Sequence, residues 1–399
     1  MTEIKPSMAS VTVGQKPSER SFASLNFLRG LSAAAVLIHH TATFVSNGKP
    51  LITIDLGGLG VDVFMLISGF LMMWHFYERH NLGESWGSSK TCLKFYVRRF
   101  FRIAPLYYLM LVIVYLCHNG LHQLEAQNHS VFAPTFTPGP HDPTNSEISV
   151  AQVLTHFSFI FGFIPRYAAS SNLPDWSIGL EMQFYLFFPF LALLLVRSQF
   201  VWGTALLLVA SWISLKLFGV GVMAEPKFFG VFPYATLLPF RIDNFLAGML
   251  LAAGLYEKDN FSKRAFLLVL GLLVAGLYMK KFLLISFLFV FYELATTFGT
   301  GLPILDQSVK QVRLLVEHRL FKFMADVSYG VYLIHMPLLA LVIWMLTHLS
   351  SFAEFSPAMR FLCCMLAMVP IVYSLAFLAF KYVESPGIAL GRKIIKRIR

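Results

Sequence analysis

The chain has 399 residues, of which 57% are hydrophobic and only 13% are charged. Soluble proteins carry roughly a quarter charged residues, so this composition excludes an ordinary soluble globular domain. The net charge of +11 could suggest nucleic-acid binding, but the basic residues lie in short segments between apolar runs. That distribution is typical of membrane topology and not of a nucleic-acid surface.

The N-terminal residues are polar and lack the apolar segment of a signal peptide, which predicts a disordered cytoplasmic tail at 1–21. After this tail, apolar runs long enough to cross a bilayer recur along nearly the whole chain. We expect one membrane domain at 22–385 and a basic cytoplasmic tail at 386–399. The runs predict an all-α integral membrane helical bundle of about ten transmembrane spans, near 22–45, 57–77, 100–118, 178–196, 200–218, 234–256, 264–280, 282–301, 321–347 and 360–383.

The distribution of Lys and Arg predicts the orientation of these spans. If the short apolar stretch 151–165 does not cross the membrane, both termini lie on one side, and that side receives most of the basic residues. The positive-inside rule then places both termini in the cytoplasm. The stretch 151–165 becomes a re-entrant or interfacial part of a large outer loop at 119–177. Much of this loop is predicted to be irregular, as in lids and binding loops, because it contains Pro134, Pro138, Pro140 and Pro143.

Ionisable residues interrupt the first predicted span. Arg29 and His40 are eleven positions apart. An α-helix would therefore place them ~16.5 Å apart along its axis and ~20° apart in rotation, on the same face at different depths. Ionisable groups inside a membrane span are costly, and they usually serve a function.

Two further arginines, Arg99 and Arg102, lie three positions apart at the start of the third predicted span, next to Arg98. Guanidinium groups bind phosphate in a forked geometry, and several that converge on one point suit a pyrophosphate. Anchoring of the span at the cytoplasmic surface would explain Arg98 on its own. It does not explain Arg29, which lies inside an apolar stretch, so we predict anion binding by Arg29, Arg99 and Arg102.

A second group of ionisable residues is predicted in the outer half of the bundle. These groups would be hard to tolerate in a membrane unless they face one another. An imidazole that bonds to a carboxylate is a good general base for a hydroxyl group. Arg241 and Asp243 could equally form a structural ion pair, and no third ligand accompanies His118 and His122, so no metal site is predicted. The members of the group are His40, Asp62, Glu181, Arg241, Asp243 and His335.

Five short segments resemble those of the acyltransferase 3 family of polytopic membrane O-acyltransferases. They are Arg29 with His40, the GVD…SGF segment at 60–70, the Arg-x-x-Arg motif at 99–102, the W-S-x-x-x-E segment at 176–181 and the Y-G-x-Y-L-x-H segment at 329–335. They occur in the family's order, and the resemblance extends from about Phe22 to the KYVESPG segment at 381–387. The chain departs from the family's pattern at Asn26, where the family usually has Asp, and at Phe27, where it usually has Gly.

The resemblance implies an enzyme that transfers an acyl group, most often acetyl, from cytoplasmic acyl-CoA to a hydroxyl group of a sugar in an envelope or exported polysaccharide. We therefore expect a multi-pass O-acetyltransferase of the bacterial inner membrane, with acetyl-CoA as co-substrate and a glycan or lipid-linked sugar as acceptor. Neither a metal nor a nucleic acid is expected. Two alternatives stay open: a proton-coupled transporter or flippase that uses the same buried charges, and an acyltransferase that acts on a non-carbohydrate small molecule.

Under this hypothesis we also expect roles for individual residues. The donor phosphates would be bound by Arg29, Arg99 and Arg102, and the catalytic group would comprise His40, Asp62, Glu181 and His335. His40 would act as the general base, or as a transient acyl carrier, and either Asp62 or Glu181 would orient its ring. The developing oxyanion would be stabilised by His335, Tyr332 or Arg241.

Overall fold

The structure is a computed structural model that describes residues 22–46, 51–132, 148–221, 224–277, 280–349 and 351–398. Its helices are α1 (Ala23–Phe44), α2 (Leu56–Asn81), α3 (Ser89–Leu116), α4 (His118–Phe132), α5 (Val150–Phe157), α6 (Trp176–Arg197), α7 (Val201–Leu217), α8 (Leu238–Tyr256), α9 (Phe261–Ala275), α10 (Lys280–Phe298), α11 (Pro303–Val316), α12 (Arg319–Thr347), α13 (Pro357–Ala379) and α14 (Ser385–Arg397). A short parallel pairing joins β1 (Gly219–Val220) to β2 (Val231–Phe232). The predicted tail at 1–21 and the four prolines named in the outer loop lie outside the described residues.

Each predicted span corresponds to a helix. Seven helical segments among the described residues are long and apolar enough to cross a membrane: α2, α3, α6, α8, α10, α12 and the continuous stretch Pro357–Arg397. The other predicted spans correspond to α1, α7 and α9. The prediction of an all-α bundle is confirmed, and its long apolar helices are those of a multi-pass membrane protein. The figure of ten spans and the side of the termini stay predictions.

The predicted outer loop at 119–177 is more regular than expected, because its described part contains α4 and α5. α4 is fixed against α12, where the side-chain amide of Asn128 donates a hydrogen bond to the carbonyl oxygen of Ala340 (2.9 Å). α5 is held in the same way, since Gln152 donates to the carbonyl oxygen of Ser170 (2.6 Å). These buried tertiary hydrogen bonds stabilise helices that composition alone did not indicate.

Close helix contacts at glycine build the centre of the bundle. α8 packs along α2, where a Cβ atom at Gly248 would lie only 2.0 Å from the carbonyl oxygen of Leu66. A Cβ atom at Gly69 would likewise lie 2.1 Å from the carbonyl oxygen of Phe245. The two helices therefore approach to backbone contact, as small residues allow between membrane helices. α1 packs against both α2 and α12, which carries its ionisable residues into the same core.

The two ends of this core differ in their ionisable side chains. We call the end that contains Arg29, Arg99 and Arg102 the arginine end. The end that contains His40 and His335 is the histidine end. Neither name refers to a side of a membrane.

Candidate active site

A cavity of ≈ 330 Å³ lies between α1, α2, α3, α6 and α12. Arg29, Arg99 and Arg102 line it at the arginine end, and Ser177 and Tyr332 line it toward the histidine end. Most of the remaining lining residues are aliphatic or aromatic. The arrangement suits an elongated ligand with one anionic end and one uncharged end.

His40 and His335 meet at the histidine end, where Nδ1 of His40 lies 2.9 Å from Nε2 of His335. The other ring nitrogen of His335, Nδ1, lies 2.6 Å from the backbone carbonyl oxygen of Tyr332, which can only accept a hydrogen bond. With both rings neutral, Nδ1 of His335 therefore carries its proton, and its Nε2 accepts a hydrogen bond from Nδ1–H of His40. This leaves Nε2 of His40 unprotonated and available as a base.

Asp62, a carboxylate expected beside His40, is hydrogen-bonded to two residues of α8. Its Oδ1 atom accepts hydrogen bonds from Arg241 (3.0 Å) and Asn244 (2.7 Å). Arg241 has non-helical backbone angles, φ −137° and ψ 17°, and it interrupts α8 at the point where its side chain turns to Asp62. A carboxylate bonds more strongly to a guanidinium than to a neutral imidazole. A carboxylate was expected to orient this ring, whereas the structure places His335 against its Nδ1 atom.

Glu181, the other carboxylate expected beside His40, belongs to the wall of the cavity. It accepts hydrogen bonds from the hydroxyl group of Ser68 (2.7 Å) and from that of Tyr185, one turn further along α6. The ring of Tyr185 lies 5.6 Å from the guanidinium carbon of Arg99. Glu181 is therefore linked to the arginine end and not to the histidine pair.

Arg29 reaches into the cavity from α1. Its Nη2 atom donates to the hydroxyl group of Ser328 on α12 (3.3 Å). Arg29 is eleven residues from His40 along α1, whereas Ser328 is only seven residues from His335 along α12. The difference corresponds to ~6 Å along a helix axis. The long arginine side chain covers this distance by extending along the bundle toward the histidine end.

Arg99 and Arg102 lie on successive turns of α3. The guanidinium carbon of Arg99 is 5.8 Å from the ring of Phe95 and 5.6 Å from that of Tyr185, so two aromatic faces hold the charge. Its Nε atom is buried and has no hydrogen-bond partner within the described part of the chain. A buried guanidinium with an unpaired N–H group fits an anionic ligand. The structure thus brings the three arginines singled out from the sequence to one cavity.

The hydroxyl groups of Ser177 and Tyr332 lie at the end of the cavity. Their oxygen atoms are 2.7 Å apart. Because the carbonyl oxygen of Tyr332 also bonds to His335, this one residue contacts both the cavity and the imidazole pair. The residue before α6, Asp175, is buried and accepts a hydrogen bond from Tyr107 (3.1 Å), which fixes the start of the helix that carries Ser177.

Three polar residues of this site were not singled out by the sequence: Tyr185, Asn244 and Ser328. The signal for Tyr185 was its position four residues after Glu181, which places two side chains on one face of a helix. Asn244 and Ser328 bond to partners on other helices. Spacing along the chain therefore carries no signal for them.

Comparison with known proteins identifies the family. The sequence profile described as an acyltransferase domain matches residues 22–377. The chain belongs to the acyltransferase 3 family. The identification drawn from five motifs is confirmed, and with it the assignment of this family member to the acyltransferases.

Two curated relatives resemble part of this acyltransferase 3 protein. Peptidoglycan O-acetyltransferase OatA of Listeria monocytogenes is 28% identical over 198 residues, which cover 48% of this chain and 27% of the relative. Acyltransferase MdmB of Streptomyces mycarofaciens is 29% identical over 173 residues, which cover 42% of this chain and 38% of the relative. The chain therefore matches less than half the length of each relative. No solved structure gives a significant match.

Proposed function

We propose that this acyltransferase transfers an acetyl group from cytoplasmic acetyl-CoA to a hydroxyl group of a sugar in an envelope or exported polysaccharide. The protein would lie in the bacterial inner membrane with its arginine end toward the cytoplasm, as the positive-inside rule favours. The name of the Listeria relative, a peptidoglycan O-acetyltransferase, supports a sugar polymer as acceptor. The observation that carries the proposal is the His40–His335 pair, because it leaves one imidazole nitrogen of the partly buried His40 free to accept a hydroxyl proton.

The donor would lie in the cavity with its phosphates at the arginine end. Arg29, Arg99 and Arg102 present guanidinium groups there, and the unpaired Nε–H of Arg99 is ready for an anionic oxygen. The apolar walls beyond them suit the uncharged arm of the donor. That arm would carry the thioester toward Ser177 and Tyr332.

His40 is the general base in this proposal. Its Nε2 atom takes the proton of the acceptor hydroxyl, while its Nδ1–H keeps the hydrogen bond to His335 and so stabilises the imidazolium that forms. The acceptor oxygen forms a bond to the acyl carbon and the carbon–sulfur bond breaks. The proton then passes from His40 to the sulfur of the departing CoA, which regenerates the base.

Tyr332 is the best placed of the three oxyanion candidates. Both ring nitrogens of His335 are already hydrogen-bonded, and Arg241 is paired with Asp62. The hydroxyl group of Tyr332 instead lines the cavity beside Ser177. We therefore assign to it the hydrogen bond that stabilises negative charge on the thioester oxygen. Asp62 then has the task of holding Arg241 at the histidine end.

Two measurements test the function. Envelope glycans from a deletion strain should lack one acetyl unit by mass spectrometry, and the wild-type gene should restore it. Purified protein should release free CoA from acetyl-CoA when an acceptor is supplied. A protein that moves a substrate without releasing CoA would instead be a transporter or flippase.

A pair of variants tests the proposed base. His40→Ala should abolish transfer without affecting insertion, because it removes the unprotonated ring nitrogen. His39→Ala is the matched control, since it removes the neighbouring imidazole, whose partner is Asp55. Near-normal transfer by His40→Ala would overturn the assignment.

A further inference from the structure

Glu384 is a buried carboxylate that the mechanism above does not use. Its side chain is 0% exposed, and among the residues that the structure describes neither carboxylate oxygen has a hydrogen-bond partner. It belongs to the KYVESPG segment at 381–387, which follows the part of the chain matched by the family profile, residues 22–377. Burying a carboxylate without hydrogen bonds is costly, so nearby charge must stabilise it.

The local backbone places Glu384 next to α3. It ends a π-helical turn, Phe380–Glu384, which joins α13 to α14. Such turns are rare and occur frequently at functional sites. α14 is then packed tightly on α3, because a Cβ atom at Gly387 would lie 2.6 Å from Cγ of Pro105 and one at Gly391 would lie 2.8 Å from Cβ of Phe101.

The positive charges that act on Glu384 belong to arginines of the cavity. Arg102 directly follows Phe101, whose carbonyl oxygen would lie 3.3 Å from a Cβ atom at Gly387, three residues after Glu384. The charges of Arg102 and Arg29 both act favourably on the Glu384 carboxylate. Arg29 in turn interacts with both Glu181 and Glu384. At the arginine end, three guanidinium groups therefore face two carboxylates. The phosphates of a donor would therefore compete with these two carboxylates for the three guanidinium groups.

We propose that Glu384 is an internal counter-ion that competes with the donor phosphates for Arg29 and Arg102 and thereby limits the affinity of the site for CoA. The inference rests on the proposed function, in which CoA is both part of the donor and a product. Three guanidinium groups without opposing charge would bind free CoA tightly and delay its release. A fixed carboxylate beside them weakens product binding and does not need to contact the reacting atoms.

The test is the affinity of the purified protein for CoA, measured by isothermal titration calorimetry. Glu384→Gln keeps the shape of the side chain and removes its charge. A unit charge ~10 Å from a phosphate at an effective dielectric constant of ~20 corresponds to about a tenfold change in affinity. We therefore expect Glu384→Gln to bind CoA about tenfold more tightly and to show a lower KM for acetyl-CoA.

Control variants separate charge from packing. Glu317→Gln removes an exposed carboxylate paired with Arg313 on α11, and it should leave the affinity unchanged. Glu384→Asp keeps the charge and should bind CoA like the wild type. In an Arg102→Ala background, the gain from Glu384→Gln should shrink, because one of the contested cations is gone. If Glu384→Gln does not fold, Glu384→Met carries the same test.

An unchanged or weaker affinity for CoA in folded Glu384→Gln would overturn the inference. So would an equal gain in Glu384→Asp, since that would show an effect of packing. A wild-type protein that does not bind CoA at all would count against the proposed function instead. The two failures are therefore distinguishable.

Discussion

Replacing His335 by alanine removes the group that fixes the ring of His40. The Nδ1–H group of His40 loses its acceptor at 2.9 Å, and a buried donor left unpaired costs about 1–3 kcal/mol. The ring can then adopt the other tautomer, which puts the proton on Nε2 and removes the base. If the ring must return to the tautomer with an unprotonated Nε2 before each transfer, a free-energy cost of this size corresponds to about a 5- to 150-fold lower kcat. The KM for acetyl-CoA should change little, because the arginines are untouched.

The assay is the initial rate of CoA release from acetyl-CoA at saturating acceptor. His335→Gln is the matched control, since its side-chain oxygen can accept the same hydrogen bond, and it should retain more activity than His335→Ala. The two imidazoles act as one unit, so the double variant His40→Ala/His335→Ala should be no slower than His40→Ala alone. A wild-type rate in His335→Ala, or fully additive losses in the double variant, would refute the reasoning.

Three further predictions concern the donor, the oxyanion and the packing. Arg102→Lys keeps the charge but loses the forked geometry, so the KM for acetyl-CoA should rise about tenfold with little change in kcat; an unchanged KM would contradict phosphate binding. Tyr332→Phe keeps the backbone carbonyl but loses the hydroxyl group, so kcat should fall about 100-fold at a similar KM, and an undiminished kcat would exclude it as the oxyanion donor. Gly248→Ala places a methyl group 2.0 Å from the carbonyl oxygen of Leu66, which should lower the free energy of unfolding by about 1–3 kcal/mol in thermal unfolding in detergent. Gly120→Ala meets open space and should leave the Tm unchanged; equal shifts in both variants would contradict the packing argument.

The helices could be predicted because each one is a local property of the chain. Apolar runs of membrane-spanning length recur between short basic segments, and each run became a helix. The alignment of Arg29 and His40 also depends on a single helix, so the spacing of eleven residues was sufficient to place them on one face. In the same way, Arg99 and Arg102 could be expected to lie together at the arginine end.

Contacts between helices could not be predicted in the same detail. The expected depth of His335 put it near the level of His40, but whether an imidazole or a carboxylate faced His40 depends on how α12 is rotated. That rotation is set by packing against α1, which the sequence of either helix does not encode alone. The turn of Arg241 toward Asp62 requires a break in α8, and nothing in the sequence indicated it, because no glycine occupies that position. The burial of Glu384 likewise depends on α14 folding back on α3.

Tyr332 lines the donor cavity, and its main-chain carbonyl oxygen contacts the ring of His335. A molecule that pushes on the phenol from the donor side would also shift the oxygen that holds the proton of His335. The protonation of His40 would then depend on whether the cavity is occupied, without any large movement of the bundle. Deprotonation of an acceptor before an acyl group is in place would then be disfavoured, because the phenol and the carbonyl oxygen belong to the same residue.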